Sequence, residues 1–289
     1  MRGLPLAPLV LAGHTGTIWS VGFLPDGKQV ISGSADMNVR AWRVEDGDEV
    51  GTVVEGEGVV MAVSASGDEK WIATAGAEKI ITIWNATTHE KVVELEGHSG
   101  PGLVCSLGFS PDSARLVSGS ADGTIIIWST TTGKQLAGPL KGHTSKARSL
   151  GWTPNGQQLI AGCDNGYIKF FDPSTGSEIA QWKGHNGIIH SISISGNGNF
   201  FASGSQDKTV RLWDTTTRQQ ISPPLQHDSY VYSVAISRDG RHLASGGEDN
   251  HARIWSLIGV LPQCLLENAP TSTTSTCNAV RVYLSTKLC

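Results

Sequence analysis

The sequence predicts an all-β protein assembled from a repeated unit of about four short strands. Three observations predict it. A tryptophan closes an apolar, alternating run at Trp42, Trp84, Trp128, Trp213 and Trp255, and Phe171 stands in the same place, so the steps are 42, 44, 43, 42 and 42 residues. Glycine is abundant, 35 of 289 residues, and it recurs in turn-forming pairs such as Asp26-Gly27, Asn155-Gly156, Asn197-Gly198 and Asp239-Gly240. Between the turns lie short runs of alternating polarity, the pattern of half-buried strands, with no space for a helix of ten residues.

Each unit reads in the same order. Gly13-His14, Gly97-His98, Gly142-His143 and Gly184-His185 open four units, and Gln226-His227 opens another. A first apolar run follows, such as Ile18, Val21 and Phe23, then a hairpin turn such as Pro25-Asp26-Gly27, then a second run such as Gln29-Val30-Ile31. A tight turn with an acidic or amide residue leads into the third run, which ends at the tryptophan. A polar link such as Ser129-Thr130-Thr131-Thr132-Gly133-Lys134 leaves room for a fourth strand before the next unit. From histidine to turn residue is 22 residues for His14–Asp36, His143–Asn165, His185–Asp207 and His227–Asp249, and 24 for His98–Asp122, where Gly100-Pro101-Gly102 marks an insertion.

Composition narrows the function. Hydrophobic residues are 39% and charged residues 17%, too apolar and too weakly charged for a disordered chain. The net charge of −4 comes without a basic block, so no nucleic-acid footprint is legible. No apolar run approaches the 18 residues of a membrane span. Cys105, Cys163, Cys264, Cys277 and Cys289 are odd in number and contain no C-x-x-C, so neither a disulfide framework nor a zinc site is readable. A reducing compartment is expected, the cytoplasm with the nucleus left open. The apolar start, Met1 to Gly13, is read as a strand-forming segment rather than a signal peptide. The sequon Asn85-Ala86-Thr87 would matter only in a secreted chain.

Gly-His openings, tryptophan closings and a period of 42–44 residues resemble the WD-repeat β-propellers. Only Trp213-Asp214 is a literal Trp-Asp, and Phe171-Asp172 keeps the acid without the indole. The resemblance implies a propeller of six recognisable four-stranded blades over 1–256, with units ending near 42, 84, 128, 171, 213 and 255. The tail, 257–289, is either an appended segment or a degenerate partial seventh blade, and Asn278 to Tyr283 resembles a third strand with Tyr283 in the tryptophan place. The repeats also resemble those of large fungal signalling ATPases, though no nucleotide-binding segment is present.

The resemblance further implies buried hydrogen-bonded sets that tie the tight turn to the incoming loop. They are His14–Ser32–Asp36–Trp42, His98–Ser118–Asp122–Trp128, His185–Ser203–Asp207–Trp213 and His227–Ser245–Asp249–Trp255. Two units are degraded. The second has Thr74, Glu78 and Trp84 without a histidine, and the fourth has His143 with Ala161, Asn165 and Phe171 while Asp164 is displaced by one place. A His, Ser and Asp recurring once per unit is a structural device, because a catalytic triad is needed once. No G-x-S-x-G elbow, phosphate loop or paired metal-spaced histidines accompany it. No cofactor and no metal are expected.

In the first strand of each unit the apolar spacing breaks alternation, from Ile18 to Val21 and then Phe23, which predicts a bulge that re-aims one side chain. Read once per unit, that residue is Trp19, Met61, Cys105, Arg148, His190 and Tyr232. Two places earlier stand Thr17, Lys146, Ile188 and Tyr230. In the family this position commonly contacts partners, so Trp19, Met61, Lys146, Arg148, His190, Tyr230 and Tyr232 are the candidate partner-binding residues of the top face. Cys105 is read as a small packed residue. The function expected is a non-catalytic scaffold, adaptor or sensor whose partners are other proteins, working as a monomer or within a larger assembly. The alternative is a propeller that binds a small ligand or glycan, and an enzyme has the least support.

Overall fold

The computed structural model describes residues 11–55, 58–99, 102–140, 146–249 and 251–266. Six antiparallel sheets follow one another along the chain. The first blade holds β1 (Ile18–Phe23), β2 (Gln29–Ser34), β3 (Asn38–Arg43) and β4 (Glu49–Glu55). The second holds β5 (Val60–Ala65), β6 (Trp71–Gly76), β7 (Ile81–Asn85) and β8 (Lys91–Leu95). The third holds β9 (Val104–Phe109), β10 (Arg115–Ser120), β11 (Ile125–Ser129) and β12 (Gln135–Leu140). The fourth holds β13 (Ala147–Trp152), β14 (Leu159–Cys163), β15 (Tyr167–Phe171) and β16 (Glu178–Lys183). The fifth holds β17 (Ile189–Ile194), β18 (Phe200–Ser205), β19 (Thr209–Asp214) and the short β20 (Leu225–Gln226). The sixth holds β21 (Val231–Ile236), β22 (His242–Gly247) and β23 (Ala252–Ser256). The propeller expectation holds, with the sixth sheet three-stranded among the described residues.

The hairpin turns show why these residues break where they do. Gly27, Gly156, Gly198 and Gly240 turn the chain between first and second strands with φ of 69°, 68°, 75° and 70°. Glycine reaches that region without a Cβ clash. The second and third blades place Glu69 and Ser113 there instead, at φ of 62° and 58°.

The innermost strands β1, β5, β9, β13, β17 and β21 line up in chain order, each packed on the next. The core therefore lies between blades and not within them. Ile31, Val39 and Ala41 of the first blade meet Val60, Val63 and Ile72 of the second. Ile160, Ile168 and Phe170 of the fourth meet Ile189, Ile192 and Phe201 of the fifth. Serines on the inner strands add a second tie, because the amides of Val63, Leu150, Ile192 and Val234 donate to Ser20, Ser106, Ser149 and Ser191 of the preceding blade at 2.9–3.2 Å. Each such bond satisfies an amide that burial would otherwise leave costly.

The sequence of contacts stops at the sixth blade. β21 does not pack beside β1 as the other inner strands pack on their neighbours. Ile254, on the outward face of the sixth sheet, is 78% exposed, whereas Leu212 at the same place in the fifth is 0% exposed. The described residues thus form an arc with an open seam between blades six and one.

Packing continues past Ser256. Leu257 and Leu261 are buried in the core between blades five and six, and Leu265 and Leu266 pack on it. The short helix α1 (Gln263–Leu266) is anchored by Asn197, whose Nδ2 donates to the Leu265 carbonyl at 2.8 Å. Of the strand-forming start, residues 1–10 lie outside the described residues, and so do Asn278 to Tyr283.

Candidate interaction face

The tight-turn sets are assembled by β2 or its equivalent, which supplies the serine, and by the third strand, which supplies the tryptophan. In blade one His14 Nε2 lies 2.8 Å from Ser32 Oγ and His14 Nδ1 lies 2.8 Å from Asp36 Oδ2. Trp42 Nε1 donates to the same Ser32 oxygen at 2.7 Å, and the Thr15 amide donates to Asp36 at 2.8 Å. Blade five repeats this with His185–Ser203 at 2.6 Å, His185–Asp207 at 3.0 Å, Trp213–Ser203 at 2.8 Å and the Asn186 amide on Asp207 at 3.0 Å.

Blades three and six depart from the pattern. His98 Nε2 meets Ser118 at 2.8 Å and Trp128 donates to Ser118 at 2.8 Å, but His98 Nδ1 meets Thr124 Oγ1 at 2.9 Å while Asp122 stands off at 3.4 Å. In blade six His227 meets Ser245 at 3.0 Å and Trp255 donates to Ser245 at 2.8 Å. Asp249 does not bond His227 directly there. Arg253 Nη1 stands between them, donating to Asp249 at 2.5 Å and to His227 Nδ1 at 3.1 Å. The long guanidinium, two places before the tryptophan, reaches the carboxylate first and bridges both partners.

The electrostatics follow from burial. Burial pushes the Asp36 carboxyl up, but hydrogen bonds from Thr15, His14 and Asn38 outweigh it and hold it at about 2. Asp207 is likewise held well below the usual carboxylate range, where burial is outweighed by His185, Thr209 and the Asn186 amide. Burial pushes the imidazoles of His98, His185 and His227 below the usual histidine value, so they stay neutral at pH 7. Each serine oxygen accepts an indole N–H within a buried site, which suits a turn clamp and not an attacking nucleophile.

The degraded units lack parts of the clamp. Trp84 Nε1 donates to Thr74 at 2.9 Å with no histidine beside it. Ala161 and Phe171 offer no hydrogen-bonding side chain in blade four, Asn165 serves its own turn by accepting from the Tyr167 amide, and His143 lies outside the described residues. The displaced Asp164 faces Arg148, accepting from Nε at 2.6 Å.

Every inner strand carries a one-residue bulge. The pairing skips Trp19, Met61, Cys105, Arg148, His190 and Tyr232 in turn. All six side chains are half-buried. Arg148, His190 and Tyr232 come together on blades four to six: the His190 and Tyr232 rings stand edge to face at 5.1 Å, and burial with the nearby Arg148 charge lowers the His190 imidazole to about 4. Burial raises the Tyr232 phenol. Lys146 is exposed, and its carbonyl accepts from the Asp164 amide as that of Tyr230 accepts from Glu248. Trp19 stands on blade one, across the open seam, with its indole N–H buried and unpaired. Among the described residues the structure thus brings Arg148, His190 and Tyr232 together and leaves Trp19 on the first blade apart from them.

Sequence reasoning missed three participants. Thr124 and Thr209 donate to Asp122 and Asp207 at 2.6 Å, and Arg253 bridges the sixth set. The signal for the threonines was legible as Asp122-Gly123-Thr124 and Asp207-Lys208-Thr209, an acid two places before a hydroxyl. Among the described residues no cluster of three His, Cys, Asp or Glu could hold a metal ion, and no helix is long and apolar enough to cross a membrane.

Comparison with known families agrees with this geometry. The model of the family described as WD domain, G-beta repeat matches residues 8–43, 48–85, 89–129, 176–214 and 219–256. A model of the anaphase-promoting complex subunit 4 WD40 domain matches 135–190, covering most of the gap between 129 and 176 and overlapping the repeat that follows. Among curated proteins, the chain is 28% identical over 88 residues to a serine-threonine kinase receptor-associated protein of Dictyostelium discoideum, covering 30% of each chain. It is 32% identical over 87 residues to eukaryotic translation initiation factor 3 subunit I of Aspergillus terreus, covering 30% of this chain and 26% of that protein. It is 34% identical over 90 residues to nuclear distribution protein nudF of Emericella nidulans, covering 30% of this chain and 20% of that one. The matches therefore span less than a third of these relatives' own length.

Proposed function

Because the chain belongs to the WD-repeat family, whose repeat model covers more than half of it, we propose that it is a non-catalytic scaffold or sensor that binds another protein on the top face. The observation that carries this reading is the bulge repeated in all six inner strands, which takes one side chain per blade out of the pairing ladder. Trp19, Met61, Arg148, His190 and Tyr232 are chemically different from one another, as suits one large partner more than repeated identical ligands. Tyrosine, tryptophan and arginine are also the types that dominate binding energy at interfaces. By their names, one relative is associated with a receptor and another is a subunit of a translation factor. A protein partner is the corresponding expectation here.

The test is quantitative capture of partners with the whole chain beside a variant carrying Trp19→Ala, Arg148→Ala and Tyr232→Ala, with thermal midpoints showing that both are folded. A partner retained by the first and lost at least about tenfold with the second supports the top face, since two or three hot-spot truncations cost that much or more. Equal retention moves the site to another surface.

A further inference from the structure

Arg218 occupies a place that glycine holds in three other blades. Its amide donates to the Asp214 carbonyl at 2.8 Å, as those of Gly47, Gly133 and Gly176 donate to Arg43, Ser129 and Asp172. The turn there requires a positive φ, which is 79°, 67° and 73° at the glycines and 61° at Arg218. Blade two places His89 there, at 59°. That region is unfavourable for a residue with a Cβ. The arginine therefore stands against the local preference, and such exceptions gather at binding sites.

Its side chain also differs from those of its peers. Arg40, Arg115, Arg148, Arg211 and Arg253 are half-buried, and each donates to an oxygen of a neighbour. Arg218 is half-buried too, yet among the described residues its guanidinium has neither a hydrogen bond nor an ion pair, and its Nε is buried without a partner. The group lies over the Phe170 ring of blade four, 5.6 Å from the centroid, which holds the charge from one side. Thr215 is left in the same state. Thr130 and Thr215 hold one place in two blades, with amides bonded to the carbonyls of Ala114 at 3.1 Å and Asn199 at 2.9 Å. Thr130 Oγ1 donates to the Ser113 carbonyl at 2.8 Å, whereas Thr215, 8% exposed, has its Oγ1 buried with no partner.

Both residues line one cavity. Its volume is about 320 Å³, and Asn155, Gln158, Asn197 and Asn199 contribute to its walls. It lies between blades four and five where the turns after the first and third strands meet, at the end of the blades opposite the bulges. Among the described residues no aspartate or glutamate lines it. A guanidinium in a polar cavity with no counter-charge suits an oxyanion.

We infer that this cavity binds a carboxylate, carried by a small polar molecule or by an acidic side chain of a partner protein. The Arg218 guanidinium donates to the carboxylate oxygens. The Thr215 O–H, turned on its Cα–Cβ bond, donates to one of them. One cation matches one negative charge, so a carboxylate fits better than a phosphate dianion, whose second charge would enter uncompensated. The amide side chains of the other walls offer donors and acceptors to a polar body.

The experiment titrates the whole chain at pH 7 and constant ionic strength with N-acetylglycinate, its neutral analogue N-acetylglycinamide, inorganic phosphate and the capped peptide acetyl-Ala-Glu-Ala-amide. The readouts are calorimetry and the Arg218 Nε–H resonance, assigned with Arg218→Gly. So small a ligand should half-saturate on the order of millimolar concentration. Acetylglycinate is expected to shift the resonance saturably, and the neutral amide to bind at least about tenfold more weakly. Phosphate should bind more weakly than acetylglycinate. Arg218→Gly should keep or raise the thermal midpoint, since glycine suits this turn, while losing at least about tenfold in affinity. Thr215→Val should lose about fivefold. Peptide binding as tight as acetylglycinate assigns the carboxylate to a partner's side chain, and weaker peptide binding assigns it to a small molecule. No saturable response, equal binding of acetylglycinate and its amide, tighter binding of phosphate, or undiminished binding by a folded Arg218→Gly overturns the inference.

Discussion

Blades five and six share a register residue for residue, yet one is sealed and the other is bare. Ala202, Gly204, Val210 and Leu212 of the fifth sheet face Val231 and Val234 of the sixth and are buried. Ala244, Gly246, Ala252 and Ile254 stand in the same places one repeat later. Ala244, Ala252 and Ile254 are exposed, and a Cβ on Gly246 would meet no side chain within 4 Å, where one on Gly204 would lie 2.9 Å from both valines. Isoleucine is as apolar as leucine, so composition does not make this difference. Burial in a stack of sheets belongs to the interface with the next sheet, and the sixth sheet has no described neighbour on that side.

The comparison can be broken most sharply with a charge. Leu212→Asp should cost at least about 4 kcal/mol by burying an unpaired carboxylate, while Ile254→Asp should stay within about 0.5 kcal/mol. Urea midpoints of the two variants check it, and similar losses would close the seam. Next comes the clamp: Asp207→Ala should cost about 1–3 kcal/mol by leaving His185 and the Asn186 amide without their acceptor. Equal urea midpoints for variant and parent would contradict that. Gly204→Ala should then cost about 1–2 kcal/mol by overpacking the valines, against no measurable loss for Gly246→Ala.

Acid sharpens the contrast between complete and degraded clamps. Because the folded-state imidazoles of His98, His185 and His227 are lowered, the unfolded chain binds more protons than the folded one below about pH 6.5. Stability therefore falls as pH drops through that value, by up to about 1.4 kcal/mol per pH unit for each proton. The lowered carboxylates act in the same direction further down, as pH falls from about 4 towards the folded value of Asp36 near 2. Protection factors of the blade-five amides, with intrinsic exchange divided out, should thus fall between pH 7 and 5.5 more than those of blade two, and equal falls would detach the clamp from the effect. The smallest expected effect concerns the seam. With the sixth sheet bare there, deleting 267–289 should leave the binding of an apolar fluorescent dye unchanged, and a rise in dye binding would show that the tail covers the seam.

Much of this was legible because the repeat states each rule several times. The family resemblance implied the clamps, which blades one and five keep in full, and the odd step from Ile18 to Val21 located the bulge at Trp19 and its five counterparts. What was not legible depends on reach and neighbours. Nothing in the spacing says that Arg253 is long enough to come between His227 and Asp249, or that Asp164 turns to Arg148. The burial of Leu257 and Leu261 could not be foreseen either, because no other unit repeats that segment and so no pattern marks it.

The bulges have a consequence for redesign. A residue skipped by the ladder is released from strand pairing but not from packing, since all six side chains are half-buried. Trp19, Met61 and Cys105 can be varied one blade at a time, whereas His190 with Tyr232, and Arg148 with Asp164, have to be exchanged together as pairs. Under the proposed top-face binding, a library built on these positions would vary specificity while the sheets beneath keep the same fold.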